Sequence, residues 1–78
     1  MPESVRIERG DDAAWYVIGR QAERAVALSD LTDPDAIAYV HDRLRGLGID
    51  RKLEKAGAKA GDTVVIGRLE FEYQEDGL

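Results

Sequence analysis

The fold is decided by the C-terminal stretch Gly61-Asp62-Thr63-Val64-Val65-Ile66-Gly67-Arg68-Leu69-Glu70-Phe71-Glu72-Tyr73. Its apolar residues alternate with polar ones on either side of Gly67, which is typical of two short strands joined by a tight reversal. After the reversal, one face carries Leu69, Phe71 and Tyr73, and the other carries Glu70, Glu72 and Gln74. The sequence therefore predicts a β-hairpin with one buried and one solvated face.

A second hairpin is predicted near the N-terminus. Residues 4–9 alternate, with Val5 and Ile7 on one face, which indicates a half-buried strand. The next residues, Gly10-Asp11-Asp12, are predicted to form a turn, because Gly tolerates positive φ and the Asp side chain can bond to its own backbone. Residues 14–18 then form a bulkier strand. Trp15 and Tyr16 point to opposite faces of it, so at least one belongs to the core and the other, if exposed, is a candidate anchor for a partner.

The segment between the hairpins has helical spacing. From Arg20 to Ser29 the small and apolar residues recur three and four apart, which favours a short helix. A second helix enters at Pro34, with Thr32 or Asp33 as its N-cap. The apolar stripe of this second helix is formed by Ile37, Val40, Leu44 and Leu47.

A third helix is predicted after Gly48. That glycine suits the left-handed residue that ends the preceding helix, and Ile49 can supply the accompanying hydrophobic contact. Asp50 is the predicted N-cap of the third helix. Its inward face is formed by Leu53 and Ala56, and Gly57 ends it.

Strands at both ends with helices between them indicate an α+β fold rather than alternating βαβ units. We expect a small, mainly antiparallel four-stranded sheet packed on two to three short helices. The 78 residues suffice for a single domain, residues 1–78. Its core spans about residues 4–74, and residues 75–78 form an acidic tail.

Composition narrows the functional classes further. The chain has no Cys, so neither a disulfide framework nor a thiolate zinc site is available. It has no run of about 18 apolar residues, and Met1-Pro2-Glu3-Ser4 lacks the features of a signal peptide. We therefore expect a soluble, intracellular protein without a membrane partner.

Charge is distributed unevenly along the chain. The formal net charge of −5 argues against simple non-specific binding to DNA or RNA, since phosphate contacts need a concentrated basic surface. Residues 43–59 nevertheless carry six basic residues against two acidic ones, a local charge of +4, whereas residues 62–78 carry five acidic residues against one basic one, a local −4. These basic residues are a candidate interaction patch that could contact phosphates, or they are a solvated surface without a partner. They are Arg43, Arg45, Arg51, Lys52, Lys55 and Lys59.

The sequence shows no motif typical of a catalytic, nucleotide-binding or metal-binding site. The glycines at 46–48 and 57–61 have neither the spacing nor the Lys-Ser/Thr end of a phosphate loop. His41 is the only His, so no multi-histidine metal site can form. Glu70 and Glu72 share a strand face, which permits a carboxylate pair but is also how a sheet keeps one face solvated. We expect no catalytic, cofactor or metal site in this segment.

Several structural residues together carry a family resemblance. They are Asp30-Leu31, Leu44, Leu47-Gly48-Ile49, Leu53, Ala56-Gly57-Ala58, Gly61-Asp62-Thr63-Val64, Ile66-Gly67 and Phe71-Glu72-Tyr73. With this arrangement the chain, from about Val5 to Tyr73, resembles the C-terminal domain of Obg-family GTPases. The matching positions are glycines and core residues rather than catalytic groups, and the phosphate loop and the Asn-Lys-x-Asp motif that reads guanine are absent from this sequence.

The resemblance implies a non-catalytic module cut from a larger cytoplasmic protein. Such a parent would bind GTP and Mg²⁺ elsewhere and would act in assembly of the large ribosomal subunit and in the stress response. The implied partners are the GTPase domain of the same protein and the large ribosomal subunit. The alternatives are an independent RNA-contacting domain that uses the basic patch, and a small enzyme built around His41, Glu70 and Glu72.

Overall fold

The computed structural model describes residues 5–75, which surround one apolar core. In chain order the elements are β1 (Arg6–Arg9), β2 (Trp15–Ile18), α1 (Arg20–Ala27), α2 (Pro34–Gly46), α3 (Ile49–Ala56), β3 (Thr63–Ile66) and β4 (Leu69–Glu72). The predicted α+β fold is confirmed. Ser4, predicted in the first strand, and residues 76–78 of the predicted tail lie outside the described residues, whereas Glu75 is exposed. Within residues 5–75, no helix is long and apolar enough to cross a bilayer.

The sheet has the strand order β1-β2-β3-β4, so the two hairpins lie side by side. Each hairpin pairs antiparallel, as predicted, but β2 and β3 pair in parallel, with Trp15 opposite Val64 and Tyr16 opposite Val65. Parallel neighbours cannot be joined by a tight turn and need a crossover of a dozen or more residues. The three consecutive helices form that crossover, and the sheet is therefore mixed.

Two rows of paired residues show which way the sheet faces, because directly paired residues project to the same side. One row runs Arg9, Trp15, Val64, Phe71 across the four strands, and the next runs Glu8, Tyr16, Val65, Glu70. The first row includes the buried Trp15 and Val64, so it lies on the helix side. The second row lies on the outer side, with a carboxylate at each edge.

The core lies between the helices and the inner face of the sheet. The second strand contributes Trp15 and Val17, and each of the three helices contributes two fully buried side chains. Its members are Trp15, Val17, Ala22, Val26, Val40, Leu44, Ile49, Leu53, Val64, Ile66, Leu69 and Tyr73. Burying an aliphatic side chain of this size contributes about 1.5–3 kcal/mol, so this cluster is the main stabilising feature of a chain without disulfides.

The first two helices begin as their sequences indicate. In α1, the Gly19 backbone N–H donates to Glu23 Oε2 at 2.9 Å, which satisfies a donor at the helix start. In α2, Asp33 is the N-cap and accepts from the Asp35 N–H at 2.9 Å, with Pro34 in the first turn. The first helix is two residues shorter than the predicted segment because it ends at Ala27.

The start of the third helix differs from the prediction. Asp50 is not its N-cap, because α3 already begins at Ile49 and Gly48 takes the preceding position with φ of 78°. The left-handed Gly48 thus ends α2 and starts α3 within one residue. The inward face is also different: Ala56 is exposed, whereas Ile49 is fully buried beside Leu53. Ile49 lies four residues before Leu53 and buries more apolar area than Ala56, so it determines which face turns inward.

Asp62 connects the two hairpins through side-chain and backbone bonds. Its Oδ2 accepts from Trp15 Nε1 and from the Lys59 backbone N–H, each at 3.0 Å. Its carbonyl accepts from the Tyr73 N–H at 2.7 Å, so the same residue also aligns the end of β4. The bond from Trp15, followed by that from Lys59, lowers the pKa of the Asp62 carboxyl. Arg9 lies over the Trp15 ring, 4.4 Å from its centroid.

Tyr16 is engaged in the N-terminal turn. Its hydroxyl donates to Asp12 Oδ2 at 2.8 Å, while Asp12 Oδ1 accepts from the Ala14 N–H at 3.1 Å. Gly10 is required beneath the ring, because a Cβ at that position would overlap the Tyr16 ring. Trp15 is thus the core residue that the sequence predicts, and Tyr16 is a half-buried strand residue whose hydroxyl is bonded to the turn, rather than a free anchor.

The two glycines near the α2–α3 junction should respond to substitution in opposite directions. Gly48→Ala places a Cβ on a left-handed residue and should lower the free energy of unfolding by about 1–2 kcal/mol. Gly46→Ala, in the last turn of α2 with open space around it, should raise that free energy by up to about 1 kcal/mol. Urea denaturation of the 78-residue chain measures both. If both substitutions change the free energy of unfolding by the same amount, the left-handed conformation of Gly48 is contradicted.

The Asp62 contacts predict a specific pH dependence. Because its pKa is lowered on folding, its contribution to stability is present above the pKa of the unfolded chain and is lost as pH falls through the lower pKa of the folded state. Asp62→Asn keeps an acceptor oxygen but no charge. It should therefore be less stable than the wild type at pH 7 and lose less stability between pH 7 and about pH 3.

Denaturant unfolding at the two pH values tests this prediction, with Asp11→Asn, which removes an exposed carboxylate, as the control. The acid-induced loss of the control should match that of the wild type. A loss in Asp62→Asn as large as in the wild type would show that the Trp15–Asp62 bond does not depend on charge.

Candidate interaction surfaces

The three residues of the enzyme hypothesis do not converge. His41, on α2, packs against Phe71 with ring centroids 4.8 Å apart, so it lies on the inner side of β4. Glu70 and Glu72 alternate with Phe71 and therefore project from the opposite side of the sheet. Among residues 5–75, no group of three or more His, Asp or Glu side chains is placed to hold a metal ion. The geometry thus separates His41 from both glutamates.

The six basic residues of the predicted patch are all exposed. Arg43 and Arg45 are two apart on α2, so they project to different sides of that helix. Arg45 Nη2 also lies 3.3 Å from Asp42 Oδ1 in an exposed ion pair. These two side chains therefore point away from each other on α2, and a patch that includes all six residues stays a prediction.

A smaller cationic face remains on the third helix. Arg51 and Lys55 are four residues apart and share the side opposite the buried Leu53, and Lys52 lies next to them. Lys59 follows in the loop after α3, where its side chain is exposed and its backbone is bonded to Asp62. We call Arg51, Lys52, Lys55 and Lys59 the α3 cationic face.

A second surface, the α1–α2 groove, was not predicted from the sequence. Its residues are Gln21, Arg24, Ala25, Leu28, Ser29, Tyr39 and Arg43. Residues 21, 24 and 25 of α1 and its C-cap Leu28 follow the spacing of a single helix face, separate from the face that buries Val26. Tyr39 and Arg43 are four apart on α2 and form the opposite wall. The i, i+3, i+4, i+7 pattern from Gln21 was the one feature that could have revealed it.

The groove holds unusual apolar exposure for so small a chain. Leu28 is 76% exposed and Tyr39 is 62% exposed, and these are the large hydrophobic residues that the described part of the chain leaves in solvent. At the end of α1, Arg68 Nη2 donates to the Ser29 carbonyl at 3.1 Å, which fixes the β3–β4 turn against this end of the groove. The groove therefore combines exposed apolar side chains with cationic ones, and a hydrogen bond from the β3–β4 turn holds one end of it.

Comparisons with known proteins identify the family. A family described as "Domain of unknown function (DUF1967)" matches residues 5–73, nearly all of the chain. A protein named GTPase Obg from Streptococcus equi subsp. zooepidemicus is 41% identical over 71 residues, which cover 91% of this chain and 16% of that protein. GTPase Obg of Streptococcus mutans is 42% identical over 67 residues, covering 86% of this chain and 15% of that protein.

A third relative, GTPase Obg of Streptococcus pyogenes, is 40% identical over 67 residues. The chain thus spans about a sixth of the length of these curated relatives. The matched region contains the described core and the left-handed glycines at positions 48, 57, 61 and 67. On this evidence the chain belongs to the DUF1967 family, the C-terminal domain of Obg-family GTPases.

Proposed function

We propose that this chain is a non-catalytic interaction and regulatory module of an Obg-family GTPase. The observation that carries the proposal is that the family match extends over residues 5–73 while its characteristic residues serve the fold. Leu44, Ile49 and Leu53 are fully buried, and Gly48 and Gly57 have positive φ at helix ends. These residues are among those on which the resemblance rests, and because they serve the fold, we infer that the module acts through its surface.

The proposal assigns the chemistry to the rest of the parent protein. Relatives named GTPase Obg are about six times longer than their matching segment, so they have ample chain for a separate GTPase domain. In this proposal, GTP and Mg²⁺ bind there, in a cytoplasmic protein that acts in assembly of the large ribosomal subunit and in the stress response. The module described above would contact that GTPase domain or the large subunit, and needs no cofactor of its own.

The α3 cationic face supports a second candidate, an independent RNA-contacting function. Arg51, Lys52 and Lys55 project together from one short helix, and Lys59 follows them. The outer face of the sheet instead carries Glu70 and Glu72, so an RNA partner would be attracted to one side only. Such contacts would position the module on phosphates without reading sequence.

A chimeric protein tests the leading proposal. The matching segment of GTPase Obg from Streptococcus mutans is either deleted or replaced by residues 5–75 of this chain. Deletion should change GTP turnover or binding to purified large ribosomal subunits, and the replacement should restore the wild-type values, because the two segments share the same fold. GTP hydrolysis assays and subunit co-sedimentation measure the two activities.

The matched control is a chimera that carries Leu53→Asp, which places a charge in the core and prevents the segment from folding. It should behave like the deletion. If the deletion leaves both turnover and subunit binding unchanged, the segment has no such role. If the replacement fails although the segment is folded, the regulatory surface is not shared between the two proteins.

The RNA-contacting alternative predicts salt-dependent binding by the 78-residue chain itself. Four phosphate contacts to a single strand should give a slope of roughly −3 for log affinity against log salt. Arg51→Ala with Lys55→Ala should reduce that slope by about half, whereas Arg24→Ala, on another face, should leave it unchanged. Fluorescence anisotropy with a labelled ribosomal RNA fragment measures it. A flat salt dependence would exclude this alternative.

A further inference from the structure

The strongest unexplained feature of the molecule is the α1–α2 groove. Both of the large hydrophobic side chains exposed in the described structure, Leu28 and Tyr39, lie in it, although they are on different helices. Scattered single hydrophobics on a surface need no explanation, but two that meet in one groove indicate a binding site. Neither side chain contributes to the core, so stability alone does not account for them.

We propose that the α1–α2 groove docks an amphipathic helix of a protein partner, with carboxylates bordering the apolar side of that helix. The inference rests on the proposed function, in that it identifies the surface through which the interaction module acts. Leu28 and Tyr39 are the apolar anchors. Arg24 and Arg43 pair with the carboxylates of the partner.

The charge of the groove specifies the acidic partner. The charged residues that line it, Arg24 and Arg43, are both cationic, although the whole chain carries a net charge of −5. Their guanidinium groups suit carboxylates, which they can contact through two parallel hydrogen bonds. A second copy of the chain that docked by the same surface would bring these cations against each other. The charge therefore favours a different, acidic surface as the occupant.

The shape of the groove specifies a helix. Its α1 wall extends from Gln21 to Leu28, which corresponds to about 10 Å along the helix axis, or two turns. A partner helix that lies against α1 and α2 contacts them through residues three and four apart. Two turns of that partner helix provide two to three such anchors. Ala25, a half-buried residue of the lining, is small enough to allow close approach. An aliphatic anchor such as Leu28 contributes little to stacking with bases, so a peptide fits the groove better than RNA does.

The test uses the 78-residue chain and a displayed library of roughly 14-residue helical peptides, long enough to form helix on binding. Selection on the immobilised chain should enrich peptides with apolar residues at i, i+3 or i+4, and i+7, and with Asp or Glu beside them. A consensus peptide is then synthesised, and its affinity is measured by fluorescence anisotropy.

Variants locate the binding site of that peptide. Leu28→Ser and Tyr39→Ser change exposed side chains, so the chain should stay folded, and each should weaken binding about tenfold or more. Arg24→Glu with Arg43→Glu should weaken binding further and should favour a peptide in which Lys replaces the acidic residues. The matched control, Arg51→Glu with Lys55→Glu, makes the same charge change on α3 and should leave the affinity within about twofold, apart from long-range effects.

Several outcomes would overturn the proposal. These are no enriched peptide, enrichment of basic peptides, or an affinity that responds to the α3 control but not to Leu28 or Tyr39. Binding of single-stranded RNA that is lost in Arg24→Glu with Arg43→Glu, without any acidic peptide, would assign the groove to nucleic acid instead.

The chimera separates this proposal from the general one. If the replacement restores turnover and subunit binding and Leu28→Ser leaves both unchanged, the proposed function stands and the groove has no part in it. If acidic helices bind the groove but the deletion has no effect in the relative, the groove proposal holds and the regulatory role falls.

Discussion

The parallel pairing of β2 with β3 is the constraint on which the rest of the structure depends. Only two residue pairs, Trp15 with Val64 and Tyr16 with Val65, join the two hairpins in the sheet. So short a ladder cannot hold a sheet by itself, and the bond from Trp15 to Asp62 and the core beneath it reinforce the register. The parallel direction also obliges the chain to cross from one hairpin to the other, which places all three helices on one side. The crossover that contains the three helices is therefore a consequence of this junction.

A one-sided sheet explains how the uneven charge of the sequence becomes two distinct surfaces. The outer row, with Glu8 and Glu70 at its edges around Tyr16 and Val65, faces away from the helices. The α3 cationic face lies on the helical side, directed away from the buried Leu53. The glutamates of β4 and the cations of α3 therefore lie on opposite sides of the core, whereas Glu8 pairs with Arg6 at 3.3 Å on the outer face. The charge distribution suits a module that orients itself between partners of different charge.

The same arrangement separates the residues of the enzyme hypothesis. His41 contacts Phe71 on the inner side of the sheet, whereas the glutamates of β4 face outward. The tyrosine hydroxyl nearest to a carboxylate, that of Tyr16, serves a turn with Asp12 and not a cleft. The features that remain for function are surfaces, namely the α3 cationic face and the α1–α2 groove. The proposed role in contact rather than in chemistry rests on these surfaces, and the family match shows membership of the C-terminal domain family of Obg GTPases.

The sequence by itself determined the elements, because each depends on neighbours in the chain. Alternation around Gly67 specified the closing hairpin, Asp33-Pro34 specified the start of α2, and Gly48 and Gly57 specified helix ends. It also specified the α+β class, and the glycine and core pattern led to the correct family. Each of these features depends on residues that are close together in the chain, so the amino-acid pattern is enough to predict it.

Only the tertiary structure decided what depends on residues far apart in the chain. The parallel direction of β2 and β3 involves backbone bonds between residues about fifty positions apart, which leave no local pattern. Asp50 is not the N-cap of α3 because the helix already begins at Ile49, whose buried side chain turns this end of the helix toward the core. The groove was missed because Leu28 and Tyr39 lie on different helices and become neighbours only after folding. Local hydrogen bonding and periodicity determine the elements, whereas burial of a shared core determines how they meet.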